Sequence, residues 1–591
     1  MKQIPKLSLK NILWQIEEVE PRATALLQQR LDLPEIIARI LCSRGVNVDE
    51  ANDYLNPTLK TYLPDPLHLL DMDIASKRIA QAVMNNEKIV IYGDYDVDGA
   101  TSSALLKKFL VSAGSNNVSI YIPDRITEGY GPNSNAFRKF KAENVNLVIT
   151  VDCGTVAYEP IKDAKEMGLD VIIVDHHLST EILPEAIAVV NPNRFDEKSE
   201  CKFLAAVGVS FLVAVATNAC LRNLGWFTGK EPADLLSLLD IVALGTICDM
   251  VPLEGINRAF VVQGLKVIAK RTNVGFASIY DLLKIQGPPS PYHLGYIIGP
   301  RINAGGRVGQ SDFGAKLLSH EDYDESLKIA EQLNIFNSER KAIESLVLEE
   351  AMIMAEQVHK NIPLILVHAV NWHPGVIGII ASRIKERFNK PAAVITINDK
   401  GIGKASCRSI KGLDFGSAIA SARALGLVIE GGGHAMAGGF TVHLEKLELL
   451  HEYFIKKFRN DMELLNGENT FNFSGYLSTS GITLNLAKMI EQAGPYGTGN
   501  HEPRFIIPRS YIVKANIVGT NHVSCLLSSD TISASSRFTK AMAFNAVNSD
   551  IGDHLLASQG RLLDIVGYLR ISRWHGNEKP EFVIEDVIVP S

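Results

Sequence analysis

Between Lys88 and Val190 one pattern recurs: a short apolar run, a polar turn, then a helical stretch. The apolar runs fall at 89–92, 118–122, 147–151, 171–174 and 187–190, and helical periodicity fills gaps such as 99–113 and 157–167. Strands alternating with helices predict an α/β unit with a parallel sheet and crossover helices. In such sheets ligands sit beyond the carboxyl ends of the strands. Three of those ends are acidic. Ile89-Val90-Ile91-Tyr92 leads to Asp94, Asp96 and Asp98; Leu147–Val151 leads to Asp152-Cys153-Gly154; Val171–Val174 leads to Asp175-His176-His177. Alternation can aim Asp94, Asp96 and Asp98 the same way. Carboxylates packed together repel one another and resist burial without a cation. Asp and Gly are also ordinary turn formers, so the first loop alone leaves a solvated turn open. Three strands converging on one edge argue for a hard divalent metal.

A fourth acid, Asp249, follows the helical stretch from Leu235 to Thr246. Taken alone, it is a capping or solvated residue. The chain has 591 residues and a formal net charge of -7, with 46% hydrophobic and 21% charged content. That length predicts roughly three or four globular domains. The acidic balance excludes indiscriminate polyanion binding and leaves room for a local basic groove. Seven scattered cysteines form no CxxC pair, so zinc and disulfide frameworks are not supported and a reducing compartment is expected. Met1–Lys6 leads into no signal-like apolar core. The uncharged run Phe203–Leu221 nears membrane-spanning length, but its Gly208, Ser210, Thr217 and Asn218 fit a buried core helix better. A cytoplasmic enzyme without a membrane partner is expected.

The remaining chain divides further. Residues 1–85 read as a helical segment without visible chemistry, 86–320 as the metal-bearing domain, and 321–358 as a long connecting helix or two. Residues 359–462 read as a second α/β unit and 463–591 as a β-rich unit. In the second unit, alternation puts Ser406 and Arg408 on one face of an extended segment, where a hydroxyl and a guanidinium can grip one phosphate. Gly431–Gly439 allows close backbone approach to an anion. No Walker A sequence occurs, so ATP-driven chemistry is not supported. The short runs 511–513, 523–527, 541–544, 563–569 and 582–587 fit an OB-like barrel. There Arg504, Lys514, Arg570 and Arg573, with Tyr568 and Trp574, offer cations and stacking faces for single-stranded nucleic acid, or simply core rings.

Four motifs in order, Asp94-Tyr95-Asp96-Val97-Asp98-Gly99, Val151-Asp152-Cys153-Gly154, Asp175-His176-His177 and Gly245-Thr246-Ile247-Cys248-Asp249, resemble those of the DHH phosphoesterases. Gly299–Arg307 resembles a stretch of that family's exonuclease branch. Trp372–Gly378 and Gly431–Gly439 resemble its DHHA1 module. The resemblance implies an α/β fold of a parallel-sheet DHH domain and a smaller DHHA1 domain joined by a long helix, plus a terminal OB-like barrel. It implies a single-stranded-DNA-specific 5′→3′ exonuclease releasing 5′-mononucleotides, acting in DNA repair and recombination with two Mn²⁺ or Mg²⁺ ions. It also implies a single-strand-binding protein and a helicase as partners. By the same resemblance, Asp96 ligates one metal and Asp98 the other, Asp152 bridges them, and His176 and Asp249 complete the second site. Asp94 and His177 are ligands or partners behind them, and Asp175 orients an imidazole. Arg301, Asn303 and Arg307 contact substrate near the scissile phosphate; Ser406, Arg408 and His434 hold the 5′ end; Arg125 is a further phosphate candidate. Cys248, Gly305 and His501 depart from the family pattern at positions that are not presumed ligands.

Two alternatives compete. One is a DHH-family phosphodiesterase of short oligonucleotides or cyclic dinucleotides, against which the terminal β-rich unit argues. The other is a non-catalytic DNA-binding scaffold, against which the full acid set argues.

Overall fold

The computed structural model describes residues 7–125, 127–463, 470–529, 538–574 and 576–589. Its first sheet holds five parallel strands in the order Val118–Tyr121, Ile89–Gly93, Leu147–Val151, Asp170–Val174, Ala188–Val190. The order reverses at Ile89–Gly93, whose neighbours are the next strand on one side and the one after it on the other. A crevice opens at such a switch point. Alternation sorts the strand residues between two cores. Ile89, Ile91, Ile149 and Ile172 face one layer of helices, and Val90, Tyr92, Val148 and Ile173 face the other. The run predicted as a core helix is the helix Ala206–Asn223, buried along most of its length in the first of these cores.

A single helix, Tyr323–Val358, 36 residues long, leaves this domain. Asp322 caps it by accepting from the Glu325 N–H at 2.9 Å. At 1.5 Å per residue it spans about 54 Å. Ala330 and Leu333 near its start lie in the first core; Val347, Ala351 and Ala355 near its end lie in a core of the second sheet. That sheet runs Glu430–His434, Ala437–His443, Ile402–Arg408, Ala392–Ile397, Ile365–Val370, antiparallel except for its last pair.

The C-terminal strands Phe505–Val518, His522–Ser528, Thr539–Ala543, Asn577–Ile588 and Leu562–Trp574 pair in that order, and the last pairs back onto the first. The ring is the expected OB-like barrel. Residues 7–85 hold more than helices. The strand Leu13–Ile16 runs parallel to Thr470–Phe473, and Leu27, Ile37, Ile40 and Leu41 share one core with Phe505, Ile512 and Val523 of the barrel. No local pattern announces this union, because the partners lie far apart in sequence.

Candidate metal centre

The acidic loop turns sharply because glycine permits it. A Cβ on Gly99 would stand 2.4 Å from the Asp94 carbonyl oxygen. Asp96 caps the helix Val97–Ser112, its Oδ1 accepting from the N–H groups of Asp98 at 2.8 Å and Gly99 at 3.1 Å. Asp98 is held by a second helix: its two oxygens accept from the N–H groups of Ala206 at 2.6 Å and Val207 at 2.9 Å, at the start of Ala206–Asn223. Helix N-termini carry partial positive charge, which favours a carboxylate there. Asp152 follows its strand with φ +61°, a left-handed conformation that Asp tolerates better than most residues. Asp249 stands at the C-terminal end of the helix Leu239–Cys248.

These side chains meet. Ligand atoms of Asp94, Asp96 and Asp152 lie within 4.8 Å of one another; so do those of Asp98, His176 and Asp249, and those of Asp152, His176 and His177. Asp152 Oδ1 is 3.3 Å from His176 Nε2, which joins the first two groups edge to edge.

Burial and mutual repulsion strain the cluster electrostatically. Burial first, then Asp96, raises Asp94 well above the carboxylate range; burial and four acid neighbours do the same to Asp152. Burial and the other acids push Asp98 up to about 7 and Asp249 up to about 9. Asp94 Oδ1 is buried without a hydrogen-bond donor among the described residues. An orphaned buried carboxylate oxygen beside repelling acids fits a divalent cation, and a set rich in oxygen with one or two imidazoles suits manganese or magnesium.

The imidazoles are fixed from behind. His176 Nδ1–H donates to the Leu204 carbonyl at 3.1 Å, which leaves Nε2 facing Asp152 and Asp98. His177 Nδ1–H donates to Asp175 Oδ1 at 2.7 Å. Burial lowers the His177 pKa, but the Asp175 hydrogen bond and charge outweigh it and raise it on balance. Asp175 is buried, yet donors from His177 and the Thr155 N–H hold it ionised, below the usual range. Asn191 and Asn193 donate to the His177 and His176 carbonyls at 2.8 and 2.6 Å. The two asparagines were not singled out in the sequence, since nothing local marks them.

The phosphate candidates divide. Arg125 lies over the Tyr95 ring, 4.9 Å from its centroid. Arg307 donates to the Gly375 carbonyl of the second α/β unit at 2.8 Å. Burial, then the charges of Arg125, Arg340 and Arg408, lowers Arg307 to about 10. Guanidinium groups from both lobes thus crowd one cleft. Arg340 was missed in the sequence because it sits inside a long helix and pairs with Glu344. Arg301 is turned onto the long helix instead, donating to Asn334 Oδ1 at 3.0 Å. Asn303 lines a cavity toward the barrel. In the second sheet, Ala437 pairs with both Arg408 and His434, and Gly439 pairs with Ser406 and Gly432. Ser406, Arg408 and His434 therefore share one face, with His434 about 10 Å from Arg408 across two strand spacings. The glycines leave that face bare. Gly378 approaches it closely; a Cβ there would stand 3.0 Å from Ser406 Oγ.

The barrel cations differ from expectation. Register sets Arg570 opposite Glu581 and Arg573 opposite Glu578, and both arginines pair with those acids; Arg504 pairs with Glu585 at 2.8 Å. Cross-strand pairing neutralises them. Lys514 is exposed. The Trp574 side chain lies outside the described residues.

A doubly wound sheet with acids and imidazoles at its switch point, facing a smaller sheet across a cationic cleft, defines the class: a DHH/DHHA1 protein. Residues 88–246 match the DHH family, N-terminal domain; residues 361–460 match the DHHA1 domain and residues 474–586 the RecJ OB domain. The chain is 33% identical over 569 residues to the single-stranded-DNA-specific exonuclease RecJ of Salmonella typhimurium, covering 94% of this chain and 96% of that protein. It is 32% identical over 581 residues to the RecJ of Bacillus subtilis, covering 98% and 71%. A crystal structure of RecJ from Thermus thermophilus in complex with Mn²⁺ has a TM-score of 0.78 at 26% identity, covering 99% of this chain and 80% of that one. The chain belongs to the RecJ family.

Proposed function

We propose that this chain is an exonuclease that hydrolyses single-stranded DNA from its 5′ end to mononucleotides. The observation that carries the reading is the meeting of two lobes: a cluster of strained acids lies beside a cleft where Arg125 and Arg307 of the first domain and Arg340 of the connecting helix come together with Arg408 of the second sheet. Two divalent cations, manganese or magnesium, held by Asp94, Asp96, Asp98, Asp152, His176 and Asp249, supply activation of water and charge compensation at the scissile phosphate when bound. The chain does the rest. Asp175 keeps the His177 ring and its tautomer fixed. Arg125 and Arg307 draw the backbone phosphates into the cleft, while Arg301, turned onto the long helix, and Asn303, on the cavity toward the barrel, stand outside that group. Ser406, Arg408 and His434 hold the terminal phosphate on a face kept bare by glycine.

Residues 86–320 would carry the chemistry, 359–462 the end sensor and 463–591 the strand guide, with 321–358 fixing the distance between them and 1–85 bracing the barrel. All seven cysteines are free, which supports a reducing cytoplasm as the place of action. A helicase and a single-strand-binding protein are the partners this reading calls for, since a cleft for one strand depends on others to expose it. DNA repair and recombination are the processes that present such ends.

The test is digestion of single-stranded and blunt duplex oligonucleotides, labelled at the 5′ or the 3′ end, with Mn²⁺, Mg²⁺ or EDTA. Immediate metal-dependent release of the 5′ label as mononucleotide from single strands alone is expected. Activity confined to very short oligomers, or binding without cleavage in any metal, would overturn the reading. Arg408→Ala should weaken discrimination for a 5′-phosphate by about tenfold, the worth of one charge-assisted hydrogen bond; unchanged discrimination would remove Arg408 from the end sensor.

A further inference from the structure

The helix Gly299–Val308 runs past the acid cluster. A Cβ on Gly306 would stand 2.6 Å from the Tyr95 carbonyl oxygen, and one on Gly299 would stand 2.5 Å from Cys248 Sγ. Its C-terminal end reaches the second lobe through Arg307 and Gly375. Its N-terminal end opens onto a cavity of about 570 Å³ between the first domain and the barrel. That volume is ample for a nucleobase, within the roughly 300–1,000 Å³ of ordinary ligand pockets. Its walls are mostly apolar, with Ile247, Val251 and Leu253 on one side and Ile490, Leu569 and Ile571 on the other.

At its mouth is a π-helix, His293–Ile298, a local irregularity often kept at functional sites. Tyr292 and Tyr296 project from this stretch, 61% and 75% exposed, their rings stacked at 5.5 Å and 23°. Two large rings held nearly parallel in water hold each other in place and leave a flat apolar face for a partner to cover. The charged groups nearby do not attract phosphate. Arg570 is paired with Glu581, and Glu491 is paired with Arg573. A wall that offers apolar surface and π-faces but little free positive charge recognises bases, not backbone.

We propose that Tyr292 and Tyr296 form a stacking platform for bases of the DNA strand on the 3′ side of the cleaved bond, where the strand passes from the metal centre to the barrel. This rests on the exonuclease reading above. The platform holds the strand without reading its sequence, since every base presents a π-face.

The test uses the full chain without metal, so that nothing is cut, and single strands carrying 2-aminopurine at successive positions from the 5′ end. Quenched fluorescence at one fixed interior position is expected. Tyr296→Ala, alone or with Tyr292→Ala, should abolish that quench and weaken binding by roughly tenfold, within the usual worth of one stacked base. The slope of log Kd against log salt should stay the same, because no phosphate contact is lost. Tyr296→Trp should restore both. Both side chains are exposed, so these variants leave the core intact. A quench that survives Tyr296→Ala overturns the proposal, as does lost affinity with a shallower salt slope. If the wild-type chain binds no single strand, the fluorescence at every position is unchanged on adding protein, and the exonuclease reading fails together with this one.

Discussion

At Asp152 four carboxylates act on one buried carboxyl, and two of the four are held in place. Asp98 is pinned by two backbone donors and Asp96 by its helix cap. Asp152→Asn should therefore do two opposite things. Turnover should fall by more than about 100-fold, since removing even a partner behind a metal ligand costs about 10–100-fold. The metal-free protein should melt higher, because a repelling charge is gone. Calorimetry with EDTA checks the second arm; an unchanged or lower melting temperature would mean that the acids are not strained. Asp240 offers a separate test, away from the metal ligands. Burial, partly offset by the Ile241 N–H, Lys108 and Asn273, pushes its carboxyl up to about 7. The folded chain keeps that proton between about pH 4 and 7, where the unfolded chain has lost it. Stability from this group thus falls as pH rises across that window and is level above it. Asp240→Asn should remove the fall, a gain of up to about 4 kcal/mol at pH 8 and nothing at pH 4. Parallel melting curves for the two proteins across pH would refute it.

Three helices meet at one glycine. A Cβ on Gly245 would stand 2.4 Å from Thr101 Oγ1, 2.7 Å from Val207 Cγ1 and 3.1 Å from Asp98 Oδ1. The helix carrying Asp249 can cross the two that position Asp98 only because this residue lacks a side chain. Gly245→Ala should cost about 1–3 kcal/mol by overpacking. It should also weaken Mn²⁺ affinity, measured by titration calorimetry, while a surface Gly229→Ala control leaves affinity unchanged. Strands and acids were legible in the sequence because both signals are local: an apolar run, then Asp at its end. The donors to Asp98 were not. Ala206 and Val207 contribute backbone alone, and backbone leaves no mark in a sequence. The barrel arginines misled for a related reason. Arg570 reads as a free cation until register sets Glu581 opposite it. Tyr292 and Tyr296 carry no mark in the sequence, since two tyrosines four apart fit any helix, and their exposure is a property of the fold.

The molecule is braced at both ends. One helix is rooted in the cores of both lobes, and the barrel is completed by the N-terminal segment. Arg258, buried, lies 4.0 Å from the centroid of the Tyr54 ring and donates to carbonyl groups of Tyr54, Gln492 and Gly494, so one side chain ties three regions together. A fragment of residues 474–589 should therefore fail to fold alone, and residues 7–56 added in trans should restore its far-ultraviolet dichroism. An independently folded fragment would show that the shared core is dispensable. The same union has a cost in time. Leu13–Ile16 leaves the ribosome roughly 450 residues before its partner strand at Thr470–Phe473. At about 5–20 residues per second, the nascent chain carries an unpaired apolar segment for some 20–90 s while two other domains are being made. The segment from Leu13 to Leu55 thus waits through the making of two other domains before the core it shares with the barrel can close.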